Sequence, residues 1–107
     1  MANAYKVLGQ ATCNGATEIY VVPSSTETII SSIVIANKEA ATNTFRLYVR
    51  PDDETLNDKH HIAYELSIAA NDTIILTLGL TMNAADKLYC HGSDANVICN
   101  VFGTEIS

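Results

Sequence analysis

Three cysteines and three histidines are the side chains of this sequence with the widest chemistry, and their spacing limits what they can form. Cys90 and His91 are adjacent, and Cys99 follows nine positions later. A structural zinc site uses Cys and His in pairs about two to four residues apart, and adjacent residues on a strand point to opposite faces. The sequence therefore predicts no metal site here and three reduced, at least partly buried thiols, with a Cys90–Cys99 disulfide as the alternative.

His60 and His61 are also adjacent, so one ring is predicted on each face of a strand. We expect His60 at the edge of the core and His61 toward solvent or a neighbouring subunit, where protonation near about pH 6.5 would make assembly sensitive to pH. No G-x-S-x-G elbow holds a nucleophilic serine, and no glycine-rich phosphate loop occurs. The sequence predicts no catalytic residue, no cofactor site and no enzymatic activity.

Residues 51–59, PDDETLNDK, are the longest irregular segment and contain four acidic residues. Carboxylate oxygens are the ligands that calcium needs, but their spacing here does not match an EF-hand loop. We therefore expect a solvated acidic surface loop.

The composition excludes two classes of partner. Six basic and 12 acidic residues give a net charge of −6, which repels phosphate backbones and anionic bilayers, so neither nucleic acid nor a membrane is expected as a partner. Residues 1–10 lack the apolar run of a signal peptide, which favours synthesis in a cytoplasm. Charged residues are only 17% of the chain, against roughly 25% in typical domains, so either Ser, Thr and Asn or a partner must cover much of the surface.

The elements that position these residues are predicted to be strands, because apolar and polar side chains alternate with a period of two between recurrent turns. We predict about eight strands, at residues 5–8, 17–22, 27–37, 45–50, 60–68, 72–80, 87–90 and 97–102. This pattern predicts one domain, 1–107, of the all-β class: an antiparallel two-sheet β-sandwich with jelly-roll or immunoglobulin-like connectivity.

Two of these segments have faces that the alternation assigns. The residues predicted to share the core face of the strand 60–68 are His60, Ile62, Tyr64, Leu66 and Ile68. The turn 69–72 is predicted to join that strand to 72–80 as a hairpin. In the segment 72–80, the residues predicted to face the core are Ile74, Leu76, Leu78 and Leu80.

Candidate interface residues come from two other segments, in addition to His61. The segment 27–37 is apolar on both faces around Val34, which indicates either a central strand or a face covered by a partner. The strand 45–50 exposes two arginines and a tyrosine on one face, and tyrosine suits a site that is half dry and half wet. The predicted interface residues are Ile33, Ile35, Arg46, Tyr48, Arg50 and His61.

Several segments share their order with a known family. They are AYKVLGQ (4–10), YVVP (20–23), SSIVIAN (31–37), FRLYVRP (45–51), KHHIAY (59–64), ANDT (70–73) followed by LTLG (76–79), and FGTEI (102–106). Over nearly the whole chain they resemble small virion structural proteins of tailed bacteriophages, notably marine and cyanobacterial phages.

The resemblance implies a virion component that works through protein–protein contacts, as a capsid decoration or cement protein or as a module that joins tail or baseplate parts. It implies a homo-oligomer packed against other virion proteins, and it brings no catalytic motif. The alternative is a receptor- or glycan-binding module on a phage fibre, with contacts from residues 51–59 and from the turn around Gly92.

Overall fold

A computed structural model describes residues 3–107, except for the side chain of Asp53. Within this range the chain forms eight strands and two short 3-10 helices. They are β1 (Asn3–Thr12), β2 (Gly15–Val21), β3 (Glu27–Asn37), β4 (Asn43–Arg50), η1 (Pro51–Asp53), η2 (Asp58–His60), β5 (His61–Ile68), β6 (Thr73–Met82), β7 (Lys87–Gly92) and β8 (Val97–Ile106).

The strands form two antiparallel four-stranded sheets, β1-β8-β3-β6 and β2-β7-β4-β5, which pack against each other. Their pairing is nested: β1 pairs with β8, β2 with β7, β3 with β6 and β4 with β5. This order is that of an eight-stranded jelly roll, and not the immunoglobulin grouping of strands ABED and CFG. The prediction of an all-β, two-sheet antiparallel sandwich is confirmed, and its connectivity is the jelly-roll one.

The core lies between the sheets and is filled by the inward side chains of both. Phe45 and Leu47 of β4 and Ile33 and Ile35 of β3 are fully buried there. Strand β3 lies between β8 and β6, and its alternate residues face the opposite sheet, so that Val34, between Ile33 and Ile35, points outward. The prediction that Ile33 and Ile35 contact a partner is therefore corrected: both are core residues.

The three cysteines meet in this core. Cys13, Cys90 and Cys99 are free and fully buried, as predicted for apolar packing, and the Cys13 thiol donates to the Ala11 carbonyl. The neighbouring Cys13 thiol and burial raise the pKa of Cys99 to about 12, and the other two thiols and burial raise the pKa of Cys90. These two thiols are therefore neutral at physiological pH.

Asn37 joins the two sheets at one end of the sandwich. It is almost completely buried at the end of β3, and its Oδ1 accepts hydrogen bonds from the Glu39 amide and from Asn43 Nδ2. Its Nδ2 donates to three backbone carbonyls, those of Ala41, Ile68 and Ala69, at 2.8–3.2 Å. Since Ile68 ends β5, the amide connects strands of different sheets.

A charged cluster closes the other end. The Glu105 carboxylate forms an ion pair with Lys6 at 2.6 Å and accepts a hydrogen bond from the Tyr20 hydroxyl, which also lies 2.8 Å from Thr28 Oγ1. Lys6 and then Tyr20 hold the pKa of Glu105 below its usual range. Burial, followed by the Glu105 carboxylate, raises the pKa of Tyr20 to about 12.

Strand β5 departs from its predicted faces. Glu65 has a positive φ of 52°, and the β4–β5 register shifts between Phe45 and Leu47. The side chains before Glu65 are therefore displaced by one position: Ala63 packs in the core, whereas Ile62 and Tyr64 are exposed. After Glu65, Ile68 is buried, as predicted, and Leu66 is exposed. His60 is buried, as predicted, but it belongs to η2 and not to the strand.

The predicted hairpin between β5 and β6 is also wrong. A turn does form at 69–72, where the Asp72 amide donates to the Ala69 carbonyl. However, β5 and β6 lie in different sheets, so the turn carries the chain across the sandwich. The inward face predicted for β6, Ile74 to Leu80 at even positions, is confirmed.

Replacement of Asn37 by alanine should destabilise the fold. It leaves the buried Ile68 carbonyl without this donor and removes the part-buried hydrogen bonds to Ala41 and Ala69, so we expect the free energy of unfolding to fall by about 1 to 3 kcal/mol, measured by urea denaturation. The matched control is Asn83→Ala, which truncates an exposed asparagine and should change stability little. Equal losses in the two variants would contradict the role given to Asn37.

The Glu105 cluster predicts a pH dependence of stability. Because the folded pKa of Glu105 lies below its unfolded value, the stabilisation is present above about pH 5 and is lost as the pH falls below about 4. Glu105→Gln should therefore be less stable than the wild type at neutral pH, and the difference should shrink in acid. Thermal unfolding from pH 7 to pH 3 measures this, with the exposed Glu27→Gln as control; a constant difference would exclude the linkage.

Candidate functional site

The outer face of the β2-β7-β4-β5 sheet collects aromatic and cationic side chains. Alternation along β4 points three residues outward, and β7 and β5 place further rings beside them. We call this set the aromatic face, and it consists of Arg46, Tyr48, Arg50, His61, Tyr64 and Tyr89.

Tyr48 is the centre of the aromatic face. It lies directly opposite Tyr89 on β7 and His61 on β5. Its ring stacks on Tyr89 at a centroid distance of 5.2 Å and meets His61 edge-on at 5.3 Å. Tyr48 is only 3% exposed, so the prediction that it contacts a partner directly is corrected: it is the covered base of the layer. Burial raises its pKa, and Tyr89 adds to the shift.

Arg46 and Tyr64 form one side of the face. The Arg46 guanidinium lies 4.5 Å from the centre of the Tyr64 ring, within the range of a cation–π contact, and its Nη2 is 3.0 Å from Glu65 Oε1. His61 meets Tyr64 edge-on at 5.0 Å. These contacts fix the orientation of Tyr64, whose side chain is 60% exposed.

Arg50 forms the other side and connects the face to the acidic loop. Its guanidinium lies 5.2 Å from the centre of the Tyr89 ring and donates to the Tyr89 hydroxyl at 3.0 Å. Its Nε donates to the Glu54 carbonyl at 2.6 Å. Next to it, Lys87 pairs with Glu18 at 3.4 Å. The face thus carries two arginines, with Lys87 beside them, and each of these three cations has an acidic residue or a backbone carbonyl as a partner.

An open pocket of about 360 Å³ borders this face and is lined by Asp58, His61 and Tyr64. His61 Nε2 and Arg46 Nε are buried and have no hydrogen-bond partner among the residues described. An unsatisfied buried polar group costs free energy. The side chains that a ligand in the pocket would meet are Asp58, His61 and Tyr64.

The acidic loop is ordered by local hydrogen bonds. Asn57 caps η2 by accepting from the Asp58 amide, and His60 Nδ1 accepts from the Asn57 amide. In the described part of the chain, no group of three or more His, Cys, Asp or Glu side chains is placed to hold a metal ion. Likewise, none of the helices described there is long and apolar enough to span a membrane.

The structure thus brings together four of the six predicted interface residues. Arg46, Tyr48, Arg50 and His61 share one face, whereas Ile33 and Ile35 lie in the core. Two members of the face escaped the sequence-based prediction, Tyr64 and Tyr89. The alternation of β7 would have placed Tyr89 outward between two buried neighbours, but the displaced alternation of β5 assigned Tyr64 to the core.

Comparison with known proteins adds no relative. No protein-family model matches the chain, and no curated protein matches it. The geometry of the faces and the resemblance of the sequence therefore carry the functional argument.

The two tyrosines of the face should respond differently to truncation. Tyr48→Ala removes the ring on which Tyr89 and His61 pack, and we expect the free energy of unfolding to fall by about 3 to 5 kcal/mol, as for other buried aromatic residues. Tyr64→Ala removes a mostly exposed ring and should cost less than about 1 kcal/mol. Urea denaturation measures both, and a larger loss for Tyr64 would contradict the layered arrangement.

Proposed function

We propose that this protein is a non-enzymatic structural component of a tailed-bacteriophage virion, a capsid decoration or cement protein or a module that joins tail or baseplate parts. The observation that carries the proposal is the aromatic face. Tyrosine and arginine are enriched at protein–protein interfaces and among the residues that dominate their binding energy. Here such residues form a continuous layer on the outside of a sheet.

The contacts within the aromatic face favour binding without rearrangement. Arg46 is held by Glu65 and Tyr64, and Arg50 by Tyr89 and Glu54. Side chains that are already ordered lose less conformational entropy when a partner covers them. The face can therefore act as a rigid docking surface, which suits a component that is present in many identical copies.

The virion assignment draws on two further supports. The ordered segments along nearly the whole chain resemble small phage structural proteins, and jelly rolls occur in viral capsid domains as well as in lectins. The second support is an analogy at the level of the fold, since one fold hosts many functions. Both agree with a role in assembly.

A second candidate function is the binding of a receptor glycan. The pocket lined by Asp58, His61 and Tyr64 favours it, because an acidic side chain and an exposed aromatic ring meet there. The predicted contribution of the turn at Gly92 does not fit this site: Gly92 lies opposite Phe45, at the far end of β4 from the loop that follows Arg50. The glycan site would thus use the loop alone.

Mass spectrometry of purified phage particles, calibrated for copy number, tests the structural role. We expect the protein in intact particles; on the order of hundreds of copies would assign it to the capsid, and a few dozen or fewer to the neck, tail or baseplate, because copy number follows the symmetry of the neighbour. Absence from purified particles would refute the proposal.

A glycan array probed with the purified protein distinguishes the glycan-binding alternative from the structural role. Binding that is lost in Tyr64→Ala and kept in Tyr5→Ala, a matched exposed tyrosine on the other sheet, would favour the receptor-binding role. Absence of binding, with the protein found on the capsid, would leave the structural role alone.

A further inference from the structure

The outer face of the β1-β8-β3-β6 sheet has no charged side chain over four cross-strand rows. The first row contains Tyr5 and Ile29, and the last row contains Thr12 and Ala36. Each row has one outward-facing residue from each of the four strands. Their members are Thr, Ser, Asn, Gln, Ala, Val, Ile, Phe and Tyr. We call this surface the uncharged face.

The charged residues of these four strands lie outside the uncharged face. Lys6 and Glu105 pair with each other at one end of the sandwich, and Glu27 precedes the first row. Several of the apolar side chains in the face are open to solvent: Tyr5 is 79% exposed, Ile75 66% and Ile29 41%. Exposed apolar groups in one continuous area are typical of a surface that a partner covers.

We propose that a second copy of this chain covers the uncharged face, sheet against sheet about a two-fold axis. This inference deepens the proposed structural role, on which it rests for its purpose. Two copies with a net charge of −6 each repel one another, and the repulsion is weakest where the facing surfaces have no charge. A face without charge is also complementary to itself, as a two-fold interface requires.

Charge also argues against other occupants. A partner with a charged surface would lose the hydration of its charges against this face and find no opposite charge there. Such a partner fits the aromatic face, where Arg46, Arg50 and Lys87 lie. The two sheets therefore have different partners. The uncharged face contacts a second copy of this chain, and the aromatic face contacts a different protein.

The size of the face is sufficient for a dimer. Four strands about 4.8 Å apart, with about eight residues of each in the face at about 3.3 Å per residue, cover about 500 Å² in projection. Two copies would bury about 1,000 Å² together, which is about the smallest area expected of a specific interface. Threonine and asparagine within the rows can hydrogen-bond across the contact, as in other interfaces.

Sedimentation velocity of the purified protein over a range of concentrations tests the proposal. We expect a dimer, and we expect Ile29→Lys to raise the dimer dissociation constant by at least about tenfold, because the contact would bury a charge with no opposite charge to pair with it. Ile29 lies on a central strand, so the substitution does not act through pairing of sheet edges. The control is Val21→Lys, which places the same charge at a residue 40% exposed on the other sheet and should leave the dimer intact.

Thermal unfolding of Ile29→Lys and Val21→Lys checks that both variants are folded. A wild-type protein that is monomeric at about 100 µM would overturn the proposal, as would a dimer that survives Ile29→Lys and is lost with Tyr64→Ala. Both results concern the purified chain, so they are independent of whether the protein is found in phage particles.

Discussion

The nested pairing of strands is the constraint on which the rest of this structure depends. Strand β1 pairs with β8, β2 with β7, β3 with β6 and β4 with β5. The first four strands of the chain therefore pair, in reverse order, with the last four. Closing these pairs into two sheets directs half of the side chains into one shared core. The other half forms two outer faces, and these carry all the surface chemistry described above.

The existence of the strands could be predicted, because alternation and turn residues are local signals. What could not be predicted is which sheet a strand enters: the turn at 69–72 shows that the chain reverses, but its residues do not encode whether β6 pairs with β5. The faces of β5 failed for another reason. Glu65 adopts a positive φ, and a glutamate gives no sequence signal for a conformation that usually belongs to glycine.

In the aromatic face, too, one part follows from a single strand and could be predicted, whereas another part depends on neighbouring strands. The outward direction of Arg46, Tyr48 and Arg50 follows from alternation within one strand, whereas the burial of Tyr48 depends on Tyr89 and His61, which come from other strands. Ile33 and Ile35 illustrate the reverse error, because an apolar run suits a central strand and an interface equally well. Only the position of β3 between two neighbours separates these interpretations.

The pairing of the first strand, β1, with the last, β8, has a mechanical consequence. Asn3 is directly opposite Ile106, so the two ends of the described chain leave the sandwich side by side. Tension applied between them acts along the hydrogen bonds, which lie across antiparallel strands, and opens the β1–β8 pair one bond after another, as a zipper opens. Force applied through one face of a sheet is instead shared by all the strands of that sheet. A partner bound to a sheet face therefore holds this protein far more firmly than one that pulls on its ends.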